Sequence, residues 1–187
     1  IRKIVSSFEN IHLRFYNVEK IIKGWKPYLR GHVTILTYFR FIAPYILNDF
    51  DKAVYLDGDT IVLSDIGKLY ETELGDNYLG AVKDAAAAGI YSDGRNTTVV
   101  NSFNNILKLT HPENYFQAGV LLVNLKKFRE DFTLDELMKI CEKGPWYFVD
   151  QDVLNYLCQN KVYFIDMSWN VESYASLEIP LKFAPDE

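Results

Sequence analysis

Two aspartates separated by one glycine form the pattern in this sequence that most suggests chemistry. Asp57-Gly58-Asp59 follows an apolar stretch at 53–56 and precedes another at 61–63. Open α/β sheets place their ligands beyond the carboxyl ends of buried strands, and two neighbouring carboxylates suit a hard cation such as Mg²⁺ or Mn²⁺. Gly58 lacks a Cβ, so a phosphate-bearing ligand can approach the backbone. The alternative is a tight Asp-Gly turn between two strands.

Polar residues stand at the ends of other predicted elements. Asp84 ends an apolar stretch, and Gln117-Ala118-Gly119 begins another. Asp150-Gln151-Asp152 opens a helical segment, where backbone N–H groups and the helix dipole favour anions. Each position also has a structural interpretation: Asp84 as a turn residue, Gln117 as a polar group at a strand edge and Asp150 as a helix cap.

Interleaved strands and helices must position these residues, which gives an α/β class. Apolar runs predict four buried strands, at 53–57, 78–83, 119–124 and 162–165. Helical periodicity predicts five main helices, at 34–47, 101–109, 126–132, 133–143 and 150–159. Alternation over 11–15 predicts a further strand, and weak periodicity over 85–98 predicts a loop.

The composition is that of one globular domain. The chain has 187 residues, of which 49% are hydrophobic and 24% charged, enough to bury a sizeable core. Its net charge of −5 argues against a nucleic-acid partner. No apolar run reaches the roughly 20 residues that span a bilayer. Cys141 and Cys158 lie in helical segments, and we expect buried thiols in a reducing compartment.

Four segments in order resemble glycosyltransferase family 8, the retaining enzymes that include bacterial lipopolysaccharide galactosyl- and glucosyltransferases, glycogenin and galactinol synthase. They are VYLDGDTIVLSDI at 54–66, LGAVKD at 79–84, YFQAGVLLVNLKKFR at 115–129 and DQDVLN at 150–155. Arg40, in TYFRF, matches as well. Four ordered matches at family-like spacing are far more specific than any single motif.

The resemblance implies a fold, a donor and a cofactor. The fold is GT-A, a Rossmann-like nucleotide-diphospho-sugar transferase fold with a mixed, mostly parallel sheet flanked by helices. The donor is a UDP-sugar carrying glucose or galactose, the metal is Mn²⁺ with Mg²⁺ as the alternative, and the acceptor is a carbohydrate or glycolipid. We expect such a protein in the cytoplasm or at the inner face of the membrane, attached peripherally through segments outside this chain.

The resemblance also assigns site residues. Asp57 and Asp59 are expected to bind the metal, with Gly58 between them close to the donor. Arg40 and Asp84 are expected to bind the donor, and Asp150 to hold one of its sugar hydroxyls. Gln117, Ala118 and Gly119 are expected to line the sugar and acceptor site.

Two residues are expected to act at the reacting carbon. The resemblance places Gln151 beneath the anomeric carbon, with Asp152 nearby. A glutamine amide is a poor nucleophile, so a same-face mechanism is favoured, in which the leaving phosphate takes the acceptor's proton. Asp152 is the fallback nucleophile.

The sequence departs from the family pattern at three places. Gln117 stands where the family usually has Asn, which affects the expected acceptor geometry. The family's first strand, with its base-contacting residues, has no counterpart before Ile11. The family's C-terminal His-x-x-Gly-x-x-Lys-Pro-Trp segment, which supplies a metal-binding His, has none either. We therefore expect residues 1–187 to form a single catalytic domain that is incomplete at both ends.

Two other functions compete with this interpretation. Aspartyl-nucleophile phosphatases also place Asp-x-Asp after a buried strand, with the first Asp attacking phosphorus. Their motif has Thr or Val two residues after the second Asp, where this chain has Ile61. The other alternative is a non-catalytic module that binds a nucleotide sugar or assembles with a partner.

Overall fold

The computed structural model describes residues 2–171, which surround a four-stranded sheet. The strands are β1 (Lys52–Leu56), β2 (Leu79–Lys83), β3 (Phe116–Asn124) and β4 (Val162–Phe164). Their spatial order is β1-β3-β2-β4. All four strands that the apolar runs predict are therefore confirmed.

The sheet is mixed, as predicted, but most of its described pairings are antiparallel. β3 runs antiparallel to both β1 and β2, and only β2 and β4 are parallel. The expected predominance of parallel strands is therefore wrong for the described residues. Interleaved helices and strands do not determine strand direction, because the long connection between β2 and β3 can return the chain from either end of the sheet.

The part of the chain between Arg2 and Val171 contains nine α-helices. They are α1 (Arg2–Val5), α2 (Glu19–Ile22), α3 (Ala43–Ile46), α4 (Ile66–Tyr70), α5 (Ala85–Asp93), α6 (Thr97–Asn101), α7 (Leu125–Asp131), α8 (Leu134–Lys143) and α9 (Asp150–Cys158). Short 3₁₀ segments cover Ile35–Phe41, Pro112–Asn114 and Met167–Trp169, and a π-helical turn covers Ser102–Ile106.

Apolar side chains cover both faces of the sheet. The larger core packs Leu121 and Val123 of β3 against helical residues such as Leu137 and Val153. The smaller core, on the other face, includes Val120 and Leu122 of the same strand. The alternation of neighbouring side chains between two cores is the period of two that a strand requires.

The alternation along β3 is interrupted near its beginning, beside the predicted site. The register shifts between the pairs Ala81–Leu121 and Lys83–Phe116. Phe116 and Ala118 therefore join the same core as Leu121, although a regular strand would place even and odd positions on opposite faces. Irregularities of this kind bend a strand and re-aim its side chains, often next to active sites.

Three predicted elements differ from the structure. Residues 85–98 are not a loop: Asp84 caps α5 by accepting a hydrogen bond from the Ala87 N–H, and the helix ends at Gly94, whose φ is 72°. The alanine-rich segment is helical because alanine has the highest helix propensity, even without clear periodicity. Residues 11–15 lie outside the sheet, since alternation produces a strand only where a neighbouring strand supplies hydrogen bonds.

The third difference is the helix predicted over 34–47. It consists of the 3₁₀ segment followed by α3, with Pro44 in the first turn of α3. Proline lacks an N–H and is accepted at a helix start, so it divides the segment rather than ending it.

The prediction of buried thiols is confirmed, because Cys141 and Cys158 are free and buried. Between residues 2 and 171, no helix has the length and apolar character needed to cross a bilayer.

Candidate active site

A cleft of about 1400 Å³ opens beside the carboxyl ends of β1 and β2. It brings together most residues that the sequence predicts for the site: Arg40, Asp57, Asp59, Asp84, Ala118, Gly119, Asp150 and Gln151. Gly58 lies in the turn between Asp57 and Asp59. Gln117 and Asp152 are not part of the cleft wall. The volume suits a ligand as large as a nucleotide sugar.

The Asp57-Gly58-Asp59 segment is a turn that also presents two carboxylates to the cleft. The Thr60 N–H donates to the Asp57 carbonyl over 3.2 Å, and the Asp57 N–H donates to the Gly119 carbonyl over 2.8 Å. The turn and ligand interpretations therefore describe the same segment. Within residues 2–171, the exposed Asp59 side chain has no hydrogen bond or ion pair, so it is accessible to a cation from the cleft.

A buried guanidinium, that of Arg40, links the two sides of the cleft. Its side chain is 6% exposed and lies 3.0 Å from Asp57 Oδ1 through Nη2 and 3.0 Å from Asp150 Oδ2 through Nε. Its Nη1 donates to the Ala118 carbonyl over 2.6 Å, and its plane lies over the Tyr55 ring. Arg40 therefore fixes two carboxylates that come from distant parts of the chain. Its predicted contact with the donor stays a prediction.

Asp150 does not cap its helix, contrary to the structural interpretation of this residue. It is the first residue of α9, and its Oδ1 accepts a hydrogen bond from Thr37 Oγ1 over 2.5 Å. The preceding residue, Val149, has φ 53°, an unusual backbone conformation for a β-branched residue. Burial raises the pKa of the Asp150 carboxyl, and Arg40 and Thr37 oppose that rise.

Gln151 is held at both ends of its amide. Its Oε1 accepts a hydrogen bond from the Ala118 N–H, and its Nε2 donates to Asp84 Oδ2, each over 2.9 Å. A backbone N–H requires an acceptor and a carboxylate requires a donor, so these partners determine the amide orientation. Burial raises the pKa of the Asp84 carboxyl, while hydrogen bonds from Ala87 and Gln151 oppose the rise.

Comparisons with known proteins identify the family of this chain. The family model described as Glycosyl transferase family 8 matches residues 2–184, almost the whole chain. The chain belongs to glycosyltransferase family 8. This membership rules out the aspartyl phosphatase alternative.

Solved structures of transferases share this fold. The apo structure of the bifunctional glycosyltransferase WbbM aligns with a TM-score of 0.78 at 30% identity, covering 89% of this chain and 30% of WbbM. The galactosyltransferase LgtC, solved with donor and acceptor sugar analogues, aligns with a TM-score of 0.63 at 32% identity, covering 81% of this chain and 51% of LgtC. The GT-A prediction is therefore confirmed.

Family 8 relatives are longer than this chain. The lipopolysaccharide 1,3-galactosyltransferase of Salmonella typhimurium is 28% identical over 78% of this chain and 42% of its own length. The chain spans half or less of the length of the first curated relatives it matches.

The resemblance to family 8 places Asp152 near the reacting carbon, but the structure buries this side chain completely. Its Oδ1 accepts from Tyr115 Oη over 2.7 Å, and its Oδ2 accepts from the N–H groups of Tyr147 and Phe148 over 2.6 and 3.1 Å. Ser102 Oγ lies 3.4 Å from the same oxygen. Burial raises the pKa of this carboxyl, and these donors oppose the rise. This carboxylate is 0% exposed, is surrounded by donors and lies outside the cleft wall, so the structure does not bring it to a sugar in the cleft.

Gln117 is a second correction. The residue is 5% exposed, and its Oε1 is buried without a hydrogen-bond partner in the described part of the chain. A regular strand would place Gln117 on the same face as Gly119, which lines the cleft. The register shift in β3 interrupts this alternation and accounts for the position of Gln117 outside the cleft wall.

Other residues in the cleft wall or in contact with it were not predicted. Tyr55 lies on β1 two residues before Asp57, so the period of two along the strand was the signal that would have found it. Thr37, the partner of Asp150, and Asn170, beside Gly119, had no comparable signal. Both reach the site through tertiary packing.

The two carboxylates suit a divalent cation that also binds substrate. Mg²⁺-type sites use one or two carboxylates together with phosphate oxygens and waters, and Asp57 and Asp59 both line the cleft. No group of three His, Cys, Asp or Glu side chains suited to a metal occurs among residues 2–171. The residues present therefore fit a cation completed by the ligand's own oxygens.

Proposed function

We propose that the protein is a retaining glycosyltransferase that moves glucose or galactose from a UDP-sugar to a carbohydrate or glycolipid acceptor. The observation that carries the proposal is the convergence of Asp57, Asp59, Asp84, Asp150 and Gln151 on one cleft in a family 8 fold. The relatives named for galactosyl transfer support a hexose donor. We place the protein in the cytoplasm, at the inner membrane face where the acceptor is a glycolipid.

Asp57 and Asp59 are the residues that would hold Mn²⁺, or Mg²⁺ in its place. Bound there, the cation would offset the negative charge that develops on the diphosphate as the sugar leaves. Asp150 and Asp84, which also line the cleft, are carboxylates held by hydrogen bonds. In this proposal they orient sugar hydroxyls and favour an oxocarbenium-like transition state.

Gln151 supports a same-face mechanism. Its amide oxygen is occupied by the Ala118 N–H, and an amide is a weak nucleophile. With Asp152 buried, neither residue forms a covalent sugar intermediate in this proposal. The bond from the anomeric carbon to the phosphate oxygen breaks, the acceptor oxygen bonds to the same face, and its proton passes to the leaving phosphate. Gln151 supplies a fixed dipole beside the reacting carbon.

The test is UDP release by the purified full-length gene product from a panel of UDP-sugars with Mn²⁺. We expect release with UDP-glucose or UDP-galactose that stops in EDTA. Asp59→Asn should abolish it without changing thermal stability, because the Asp59 side chain makes no hydrogen bond or ion pair within residues 2–171 that the substitution would remove. Asp76→Asn, at an exposed turn outside the cleft, is the matched control.

Two outcomes contradict the proposal. Full activity of Asp59→Asn in EDTA would contradict the metal site. UDP binding by the wild-type protein without turnover of any UDP-sugar would favour the non-catalytic module.

A further inference from the structure

Tyr55 contacts the carboxylate that the proposed cation would bind. Its hydroxyl donates to Asp57 Oδ1 over 2.6 Å and accepts from Arg40 Nη2 over 2.9 Å. Arg40 Nη2 also donates to the same Asp57 oxygen over 3.0 Å. Two donors therefore converge on one oxygen of this carboxylate.

The second oxygen of Asp57 is left for a ligand. Oδ2 has no hydrogen bond within residues 2–171, and it lies on the side of Gly119, 3.4 Å from the position of an ideal Cβ on that residue. The Asp57 side chain is 36% exposed, whereas Arg40 behind it is 6% exposed. The carboxylate thus has a protein-facing oxygen and a cleft-facing oxygen.

The donors on Oδ1 are themselves fixed. The Arg40 guanidinium lies 4.3 Å from the centre of the Tyr55 ring, and its other N–H groups donate to the carbonyls of Thr37 and Ala118. Because the guanidinium is held by several partners, the tyrosine hydroxyl has one favourable arrangement between Arg40 and Asp57.

We propose that Tyr55 is a positioning residue for the divalent cation, and this inference rests on the metal site proposed above. Its hydroxyl, together with Arg40, holds the Asp57 carboxylate so that Oδ2 faces the cleft beside Asp59. Groups that hydrogen-bond to a metal ligand set its orientation, and removing one typically costs about 10–100-fold in metal affinity.

The test is Tyr55→Phe, which removes the hydroxyl and keeps the ring beneath Arg40. Mn²⁺ binding to the full-length gene product, wild type or variant, is titrated calorimetrically in the presence of UDP. We expect the Mn²⁺ dissociation constant to rise about 10-fold or more. At saturating Mn²⁺, UDP affinity and UDP release should return to wild-type values, because the sugar and nucleotide contacts are unchanged. A general packing defect would not be recovered by excess Mn²⁺.

Tyr45→Phe is the matched control, because Tyr45 donates its hydroxyl to the Phe132 carbonyl away from the cleft. Its Mn²⁺ affinity should equal that of the wild-type protein. Arg40→Lys, which replaces the guanidinium that donates to Tyr55 and Oδ1 with a differently shaped ammonium group, should weaken Mn²⁺ binding as well and provides the test if Tyr55→Phe does not fold.

The outcomes separate this inference from the proposed function. Wild-type Mn²⁺ affinity in Tyr55→Phe, or in Arg40→Lys, would overturn the positioning role while leaving the metal site intact. An equal loss in Tyr45→Phe would overturn it too, since the effect would not be specific to the site. Absence of Mn²⁺ binding by the wild-type protein would refute the metal site and the inference together.

Discussion

Replacing Asp152 with alanine should destabilise the fold strongly, because the carboxylate organises three separate segments. It accepts short hydrogen bonds from the Tyr115 hydroxyl and from the N–H groups of Tyr147 and Phe148, and it contacts Ser102. Tyr115 immediately precedes β3, Tyr147 and Phe148 precede α9, and Ser102 is the first residue of the π-helical turn. Asp152→Ala removes their shared acceptor at once.

The magnitude follows from the three hydrogen bonds to Tyr115, Tyr147 and Phe148. A buried donor left unsatisfied costs about 1–3 kcal/mol. The two backbone donors are only partly buried, so water can reach them and the lower end applies. Burial of the ionised carboxylate carries a desolvation cost, which raises the pKa of Asp152. Removing the carboxylate removes this cost and so offsets part of the loss of stability. We therefore expect a decrease of about 3 kcal/mol in the free energy of unfolding, a large share of the roughly 5–15 kcal/mol typical of domains.

Urea unfolding followed by circular dichroism measures this difference. Asp135→Ala is the control, because Asp135 forms an ion pair with Lys139 that is exposed to water and should contribute little to stability. A loss below about 1 kcal/mol in Asp152→Ala would refute the structural role. A sugar adduct on Asp152, detected by peptide mass spectrometry after incubation with donor, would refute the conclusion that this carboxylate is not the nucleophile.

Three further predictions concern the cleft. Asp150→Ala should lower sugar transfer more than UDP affinity, because Asp150 is proposed to contact the sugar; equal losses of UDP and UDP-sugar affinity in a folded variant would contradict this. Gly119→Ala should weaken Mn²⁺ binding in a calorimetric titration, because a Cβ there would lie 3.3 Å from Asn170 Nδ2 and 3.4 Å from Asp57 Oδ2, the oxygen proposed to bind the cation. An unchanged Mn²⁺ affinity would show that Asn170 moves aside without any effect on Asp57. Because burial raises the native pKa of Asp84, the folded protein binds this proton more tightly than the unfolded chain does. The stability of the wild-type protein relative to Asp84→Asn should therefore fall as pH rises from about 3.9 through the native pKa. A stability difference that stays constant with pH in urea unfolding would contradict the raised pKa.

The sequence alone determined the family and the strands that carry its motifs. Apolar runs of strand length predicted β1 to β4, because burial on both faces of a sheet leaves a local pattern in neighbouring residues. The four ordered motifs predicted glycosyltransferase family 8, and eight of the predicted site residues line one cleft. The thiols of Cys141 and Cys158 were likewise predicted to be buried.

Tertiary structure alone decided how the carboxylates are used. Asp150 is bound by Thr37, 113 residues away, and Asp152 is enclosed by donors from three segments, so neither role has a local sequence pattern. The register shift in β3, which places Gln117 outside the cleft wall, depends on the pairing of β3 with β2. Residue type shows that a carboxylate can bind a cation, attack a carbon or accept hydrogen bonds, but burial and the positions of its neighbours select among these roles.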